Sequence, residues 1–216
     1  MLEPAVPPFD LLGAETGNCL RVAVALEVLG LAYNPVYVDL RADQQRSAAF
    51  RAINPDGRVP VLIDRSQAEA PLTLTQSNAI MLYLSDLRPG KLLPEQSGPA
   101  RARALEQFLY FVTDGIAPNG NAFLLKRRDQ SAAASHLKQR SIEAIAASER
   151  FLDNSSYMAG DTISLPDIAA VVVVRASSDR LDWTNLPRLR GWLNRVSSRS
   201  DVQRGLTAFD NQRSET

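Results

Sequence analysis

The sequence predicts an α/β domain followed by an all-α helical domain. Strand-like and helix-like apolar patterns alternate over about the first 90 residues. A segment with three prolines and two glycines follows between Pro89 and Pro99, and beyond it no strand-turn-strand signal occurs. The predicted organisation is therefore an α/β domain over residues 1–90, a linker over 91–99 and a helical domain over 100–216.

The N-terminal domain has the predicted order β-α-β-α-β-β-α, which is the pattern of the thioredoxin fold. In the first helix, Asn18 can serve as the N-cap and Gly30 can end the helix in the left-handed conformation. The first three elements form a parallel βαβ unit, and the last three form a hairpin followed by a helix. The predicted elements are strands at Phe9–Gly13, Ala32–Leu40, Val59–Asp64 and Leu72–Thr75, and helices at Asn18–Leu29, Ala42–Ile53 and Ser77–Leu87.

The C-terminal domain is predicted to be helical at Ala100–Gly115, Ser131–Leu152 and Pro187–Val196. One further segment has conflicting signals, because the β-branched run Ala170–Val174 favours a strand by propensity. The preceding Ser164-Leu165-Pro166-Asp167 is instead typical of a helix start, with a capping box and a proline in the first turn. We therefore predict a helix here, apolar on all sides and buried.

The charge and cysteine content exclude several classes of partner. The 24 basic and 24 acidic residues balance, so the chain has no basic surface typical of nucleic-acid binding. The longest apolar run, Ile168–Val174, is too short to span a membrane. The single cysteine allows no internal disulfide, and Met1–Pro8 lacks the pattern of a signal peptide, so we expect a cytoplasmic protein. No metal site is predicted.

The first candidate site is Thr16-Gly17-Asn18-Cys19, between the first strand and the first helix. A helix N-terminus has unpaired N–H groups and a partial positive charge, so it stabilises a thiolate. The Asn18 amide and the Thr16 hydroxyl can each donate a hydrogen bond to such a sulfur. Lowering a thiol pKa by about two units requires roughly 2.7 kcal/mol, which two such contacts supply. The alternative is that Asn18 is only an N-cap.

The second candidate site is the turn from Asn54 to Pro60, which leads into a strand. A cis bond between Val59 and Pro60 would leave the N–H and C=O of Val59 free to pair with an extended peptide, although most X-Pro bonds are trans. The alternative is a plain turn before a strand.

The third candidate site is Gln76-Ser77-Asn78-Ala79-Ile80, at a strand-to-helix junction. Ser77 and the backbone N–H groups of the helix start could bind a ligand carboxylate. Gln76 could accept a hydrogen bond from a ligand ammonium. The alternative is that Ser77 is a plain N-cap.

Together these stretches resemble the cytosolic glutathione transferase superfamily. Asn54-Pro55-x-Gly57-x-Val59-Pro60 resembles its NPxGxVP turn with a cis-proline, and Gln76-Ser77-Asn78-Ala79-Ile80 resembles its motif for the γ-glutamyl group. Ala159-Gly160-Asp161 with Ser164-x-x-Asp167-Ile168 resembles its buried helix start, and Trp192-Leu193 with Arg195 resembles its late helix. The resemblance covers almost the whole chain.

The resemblance implies an enzyme that binds glutathione as co-substrate, without a metal. Its thiolate would attack a small electrophile or reduce a disulfide, in a cytoplasmic homodimer with a role in detoxification and no nucleic-acid or membrane partner. The implied site residues are Thr16 and Asn18 for the thiolate, Val59 and Pro60 for the cysteinyl backbone, Gln76 and Ser77 for the γ-glutamyl end, and Arg58 for the glycyl carboxylate. A solvated surface position is the alternative for Arg58.

The subclass depends on the first stretch. Thr16-x-Asn18 resembles the Thr-Pro-Asn pattern of the nu class, many of whose members act on disulfides with two glutathiones, although Gly17 replaces the proline. The cysteine of the bacterial beta class falls at Asn18 in this register, and Cys19 lies one residue further on. Cys19 is therefore either a buried helix thiol or a redox residue that forms a mixed disulfide with glutathione.

A second-substrate pocket is expected between the domains, with Tyr110 and Asp114 as candidate lining residues. By periodicity, residues in such positions belong to the helical core more often than to a site. A non-catalytic binding or regulatory module of the same fold is the alternative to an enzyme. The retention of candidate residues for both the sulfur and the γ-glutamyl group favours the enzyme.

Overall fold

The computed structural model describes residues 7–66 and 70–210, which form two compact units. The first unit runs to Leu87 and also contains the segment from Ser200 onward, whereas the second is Arg88–Arg199. The sequence had placed that last segment in the helical domain of residues 100–216. Of Met1–Pro8, for which a signal peptide was not expected, residues 1–6 lie outside the described residues.

The sheet of the first unit has the strand order β2-β1-β3-β4, with β1 parallel to β2 and antiparallel to β3. Strands β3 and β4 pair as an antiparallel hairpin. The βαβ unit and the hairpin are as predicted, so the thioredoxin-like fold class is confirmed. The strands are β1 (Phe9–Gly13), β2 (Tyr33–Tyr37), β3 (Val61–Asp64) and β4 (Leu72–Leu74).

Helices form the rest of the described secondary structure. Short 3₁₀ turns occur at Gln44–Arg46, Ser148–Leu152 and Ser178–Arg180, and a π-helical turn lies at Phe111–Ile116. No helix in the described ranges is long and apolar enough to cross a membrane. The α-helices are α1 (Gly17–Leu29), α2 (Ala48–Ile53), α3 (Ser77–Asp86), α4 (Pro99–Tyr110), α5 (Ala117–Lys126), α6 (Ser131–Ala147), α7 (Leu165–Arg175), α8 (Pro187–Ser197) and α9 (Ser200–Leu206).

Two predicted helix caps are wrong, the first by two residues and the second by one. Thr16, not Asn18, caps α1, because its hydroxyl accepts the Cys19 N–H. Gln76, not Ser77, caps α3, because its side-chain oxygen accepts from the backbone N–H of Asn78. Asn18 and Ser77 therefore lie inside the first turns, and their side chains are available for other contacts. At the other end of α1, Gly30 is left-handed, with a φ of 64°, as predicted.

Helix α9 packs against α1 and completes the first unit. The two helices approach closely at Gly205, which lies against Val24. Nearby, Arg204 Nε lies 2.7 Å from Glu27 Oε2. These contacts explain why the segment from Ser200 belongs to this unit although it is remote from it in sequence.

In the second unit, α7 confirms that the β-branched run is a buried helix. Its capping box is present, and the Asp167 carboxylate accepts from the Ser164 N–H at 2.8 Å. The helix is buried on nearly all sides, so the capping signal decides the structure over propensity. Helix α5 was missed, because Pro118 and the glycine at 120 interrupt its pattern.

Candidate functional site

The register of the sheet brings the three candidate stretches to one edge. Leu12, near the end of β1, pairs with Val61 at the start of β3, and Leu62 pairs with Leu74 at the end of β4. The turn into α1, the Val59–Pro60 bond and the turn into α3 therefore all lie at the same end of these strands. The N-termini of α1 and α3 bring their unpaired N–H groups to this edge.

A buried arginine joins two of these stretches. Arg21 is 3% exposed. Its Nη2 atom donates to Asn18 Oδ1 at 2.8 Å and to Ser77 Oγ at 2.8 Å. The side-chain oxygens of Asn18 and Ser77, which are far apart in sequence, thus share one nitrogen atom.

Asn18 is exposed at the start of α1, as a residue that meets a ligand must be. Its carbonyl oxygen is bound to Arg21, and its Nδ2 atom has no hydrogen-bond partner among the described residues. The amide therefore has both its donor hydrogens available at the edge where the predicted thiolate lies.

The side chains of Thr16, which is half-buried, and Cys19, which is buried, contact each other. The Thr16 hydroxyl oxygen lies 3.0 Å from Cys19 Sγ, to which it donates. Cys19 is completely buried, and this burial raises the pKa of its thiol. A buried, protonated thiol is a poor nucleophile, so the structure opposes the redox interpretation of Cys19 and favours that of a packed helix thiol.

The turn before β3 is stabilised by the side chain of Asn54, the first residue of the second candidate site. Asn54 is 2% exposed, and its Nδ2 donates to the Arg58 carbonyl oxygen at 2.6 Å. The Val59–Pro60 bond is cis, as expected. Neither the N–H nor the C=O of Val59 hydrogen-bonds to a described residue. The Arg58 side chain is exposed and makes no ion pair with a described residue.

At the start of α3, Ser77 is buried and Gln76 is exposed. Ser77 Oγ accepts from Arg21 and lies 3.5 Å from Gln76 Oε1, a long contact for a hydroxyl donor. The Ser77 hydroxyl hydrogen is therefore only weakly used. It can be given to a ligand carboxylate at the N-terminus of this ten-residue helix.

Arg21 is the functional candidate that the sequence reasoning missed. Burial lowers its pKa to about 10, so the guanidinium remains charged at neutral pH. No carboxylate of a described residue forms an ion pair with it, and its Nε and Nη1 atoms are buried without a partner. Its spacing of three residues from Asn18, which puts both on one helix face, was the available signal.

The chain matches known proteins over most of its length. Residues 8–86 match the family model "Glutathione S-transferase, N-terminal domain". The disulfide-bond oxidoreductase YfcG of Escherichia coli is 30% identical over 201 residues, 88% of this chain and 90% of that protein. The maleylacetoacetate isomerase maiA of Aspergillus fumigatus is 31% identical over 165 residues, 71% and 70% of the two chains.

This chain belongs to the cytosolic glutathione transferase superfamily. Solved structures agree with that membership. A glutathione transferase from Burkholderia graminis, with two glutathione molecules bound per subunit, superposes with a TM-score of 0.82 at 26% identity and covers 95% of this chain and 90% of its own. A glutathione transferase of Phanerochaete chrysosporium with oxidized glutathione has the same fold, with a TM-score of 0.83 at 24% identity over 97% and 98% of the chains.

In this glutathione transferase superfamily member, Tyr110 lies in an aromatic cluster of the second unit. Its ring packs edge-on against Phe111 and Phe151, and its hydroxyl donates to the Ala144 carbonyl at 2.7 Å. Arg150 lies over the same ring, 4.9 Å from its centroid. The Tyr110 hydroxyl is thus already used within the unit, as expected for a residue of the helical core.

Asp114 lies in the π-helical turn that follows α4. It is half-buried and accepts from the hydroxyl of Thr113 at 2.7 Å. π-Helical turns are frequent at functional sites, so Asp114 remains the better candidate of the two for a second substrate. In the described ranges, no group of three His, Cys, Asp or Glu side chains is placed to hold a metal ion.

Proposed function

We propose that the chain is a glutathione-dependent enzyme in which the thiolate of bound glutathione attacks a disulfide or another electrophile. One observation carries the proposal. At a single sheet edge, the Asn18 side-chain oxygen and the Ser77 hydroxyl oxygen both lie 2.8 Å from the same guanidinium nitrogen. One edge therefore offers a hydrogen-bond donor for the glutathione thiolate, the Asn18 amide, and a donor for its carboxylate, the Ser77 hydroxyl.

Glutathione is an extended tripeptide, and the edge offers a group for each of its parts. Its γ-glutamyl carboxylate accepts from Ser77 and the first N–H groups of α3, while Gln76 accepts from its ammonium. Its cysteinyl N–H and C=O pair with the free backbone groups of Val59, as in strand addition. Arg58 is exposed and directly precedes Val59 in the sequence, so we expect its side chain to bind the glycyl carboxylate, which lies next to the cysteinyl unit in glutathione.

The cysteinyl sulfur then lies at the start of α1, where it is activated as a thiolate. The Nδ2 group of Asn18 donates to it, and the helix N-terminus adds a favourable field. A hydrogen bond to a charged group contributes about 1.5–3 kcal/mol, so Asn18 alone lowers the thiol pKa by about one to two units. No protein base is needed for this activation.

Thr16 adds a second donor through Cys19. In the structure the Thr16 hydroxyl donates to Cys19 Sγ at 3.0 Å. When glutathione binds, we expect this hydroxyl to rotate toward the ligand sulfur, and the Cys19 S–H, which burial keeps protonated, to donate to Thr16 Oγ1 in return. The Thr16 hydroxyl hydrogen is then available for the sulfur of glutathione. Cys19 in this role keeps its proton throughout and forms no mixed disulfide.

Disulfide reduction is the branch that we favour. The thiolate attacks one sulfur of the substrate, the substrate disulfide breaks, and a mixed disulfide and a substrate thiolate form. A second glutathione attacks the mixed disulfide, which releases the second substrate thiol and glutathione disulfide. This branch is supported by the 30% identity to a disulfide-bond oxidoreductase and by the related structure with two glutathiones per subunit.

The other branch is attack on a carbon electrophile, with a new S–C bond and loss of a leaving group. Asp114 is the first candidate residue for contact with this substrate, and Tyr110 is the second. We place the enzyme in the cytoplasm as a homodimer, on the basis of the family resemblance and the single cysteine.

The test is an assay of the purified protein with glutathione and two substrates, hydroxyethyl disulfide and a chloronitroaromatic. We expect glutathione-dependent reduction of the disulfide, faster than conjugation of the aromatic. In parallel, titration calorimetry measures the affinity for glutathione, which we expect to be weaker in Ser77→Ala than in the wild-type protein. Binding without turnover of either substrate would instead favour a non-catalytic module, and absence of binding at millimolar glutathione would reject the proposal altogether.

A further inference from the structure

The contacts of Arg21 are unusual for a buried cation. A charge removed from water normally has a carboxylate partner or a full set of hydrogen bonds. Arg21 is 3% exposed, yet within the described ranges only its Nη2 atom has partners, and both of these are neutral oxygens. Its Nε and Nη1 atoms are buried and unpaired.

The chemistry of the guanidinium fixes the orientation of both partners. Arginine has five N–H donors and no acceptor, so the group that faces Nη2 must be an acceptor. Asn18 therefore turns its carbonyl oxygen toward Arg21 and its NH₂ group away from it. For the same reason the Ser77 oxygen accepts from Arg21, and its hydroxyl hydrogen must be donated to another group.

We propose that Arg21 is a positioning residue for glutathione, a proposal that rests on the function given above. Arg21 sets the Asn18 amide and the Ser77 hydroxyl as donors toward the two ends of the ligand that carry negative charge, the thiolate and the γ-glutamyl carboxylate. Its own uncompensated charge strengthens the binding of both anions. One buried cation thereby couples affinity for the ligand to activation of its sulfur.

Other charged groups at this edge are less able to have that effect. Along the three stretches and at the residue before the first of them, the other ionisable side chains are Glu15, Cys19, Asp56 and Arg58. Asp56 and Arg58 are exposed, so solvent screens them, and Glu15 is half-buried. Cys19 is buried and neutral. Arg21 is therefore the buried charge expected to dominate the local potential.

The test compares Arg21→Met and Arg21→Lys with the wild-type protein, and uses Arg46→Met as the matched control. Arg46 is an exposed arginine of the first unit, paired with Asp43. Two quantities are measured: the pKa of the bound glutathione thiol, from the ultraviolet absorbance of the thiolate, and the Kd of glutathione by calorimetry. A residue needed only for folding would change neither in a folded variant.

In Arg21→Met we expect the thiol pKa to rise by about one to two units and the Kd of glutathione to increase about tenfold. Both changes are expected because the cation that orients the donors for the thiolate and for the γ-glutamyl carboxylate is absent. Arg21→Lys recovers part of both effects, since it keeps the positive charge but not the planar shape and length of the guanidinium that place Nη2 between the two oxygens. Arg46→Met leaves both at wild-type values. A folded Arg21→Met protein with wild-type thiol pKa and Kd would overturn the proposal.

Coupling to Asn18 provides a second arm. If Arg21 acts through Asn18, then Asn18→Ala raises the thiol pKa less in the Arg21→Met background than in the wild-type background. Equal shifts in the two backgrounds would reject the positioning role.

The Asn18→Asp variant tests the uncompensated charge without removing Arg21. A carboxylate at this position pairs with the guanidinium, so we expect a melting temperature at or above that of the wild type, whereas the thiol pKa rises because a donor is replaced by an anion. A clearly lower melting temperature would contradict an uncompensated charge. Since this readout needs no glutathione, it separates failure of this inference from failure of the proposed function.

Discussion

Gly205 of α9 lies so close to Val24 of α1 that a Cβ atom at position 205 would come within 2.4 Å of the Val24 Cα and 2.6 Å of its nitrogen. Both contacted atoms are backbone atoms in the middle of a buried helix, so neither can move aside on its own. The side-chain-free surface of Gly205 is therefore a condition for the docking of α9.

Gly205→Ala should destabilise the first unit by about 1–3 kcal/mol, because the added methyl group overpacks a helix contact. Urea denaturation measures the change, and hydrogen exchange in α1 localises it. The control is Gly191→Ala in α8, where a Cβ atom meets nothing within 4 Å. That variant should be stabilised by about 0.5–1 kcal/mol through helix propensity alone. Equal effects at the two positions would contradict the close approach.

Asn18→Ala should reduce turnover much more than Cys19→Ser. Asn18 is exposed and can donate to the glutathione sulfur, whereas Cys19 is buried below it. Loss of a hydrogen bond to a thiolate corresponds to about a tenfold to hundredfold decrease in kcat/KM. Steady-state kinetics at saturating disulfide measure it. A larger loss of turnover in Cys19→Ser would instead indicate that Cys19, one residue after Asn18, is the catalytic residue.

Cys19 should resist thiol reagents in the native protein. It is completely buried, and that burial raises the pKa of its thiol, so little thiolate exists at neutral pH. Because it is the single cysteine of the chain, labelling of the whole protein reports on it directly. We expect iodoacetamide to modify the protein slowly in buffer and rapidly in urea. Rapid native labelling would restore the redox interpretation.

Asp167→Ala should destabilise the second unit by about 3 kcal/mol or more. The buried carboxylate accepts from the Met158 N–H at 2.8 Å and from the Trp192 indole at 2.7 Å, in addition to its capping contact with Ser164. Its removal leaves several buried donors unpaired. Asp161→Ala, at an exposed position close by, is the control and should change stability by less than about 0.5 kcal/mol. Thermal denaturation distinguishes the two.

Arg21→Met should be more stable than the wild type when glutathione is absent. Burial lowers the pKa of Arg21 to about 10, so the charged form is disfavoured in the folded state and its free-energy cost is present at every pH below about 10. That cost falls as the pH rises through the folded-state pKa. Replacement by an apolar side chain removes it, and we expect a gain of about 1 kcal/mol or more at neutral pH. Added glutathione should narrow or reverse the difference in melting temperature.

Much of the fold could be predicted because local signals agreed with tertiary packing. Strand β1 was predicted with its observed ends, and α7 was found despite its β-branched residues because Ser164 and Asp167 form a capping box. Strands β2, β3 and β4 are shorter than predicted, because pairing with neighbours, which the sequence does not display, determines where a strand ends.

The positions of the candidate site residues in turns and helix starts could be predicted from the sequence, but their hydrogen-bond partners could not. Asn18, Val59 and Ser77 were identified from their places in turns and helix starts, which are local features. Arg21 was missed because its importance lies in its contact with Ser77, which is remote in sequence. The membership of α9 in the first unit was missed for the same reason, since nothing near Gly205 in the sequence indicates that it meets Val24.

The pairing of α9 with α1 has a consequence during synthesis. A ribosome releases the chain from its N-terminus, so the strands around α1 are available long before residues 200–206 emerge. Until then one face of α1, including Val24 and Glu27, has no partner from this helix. The first unit thus reaches its final form only after residues 200–206 have left the ribosome, and a nascent chain stalled in the helical region would still display an apolar surface for chaperones to bind.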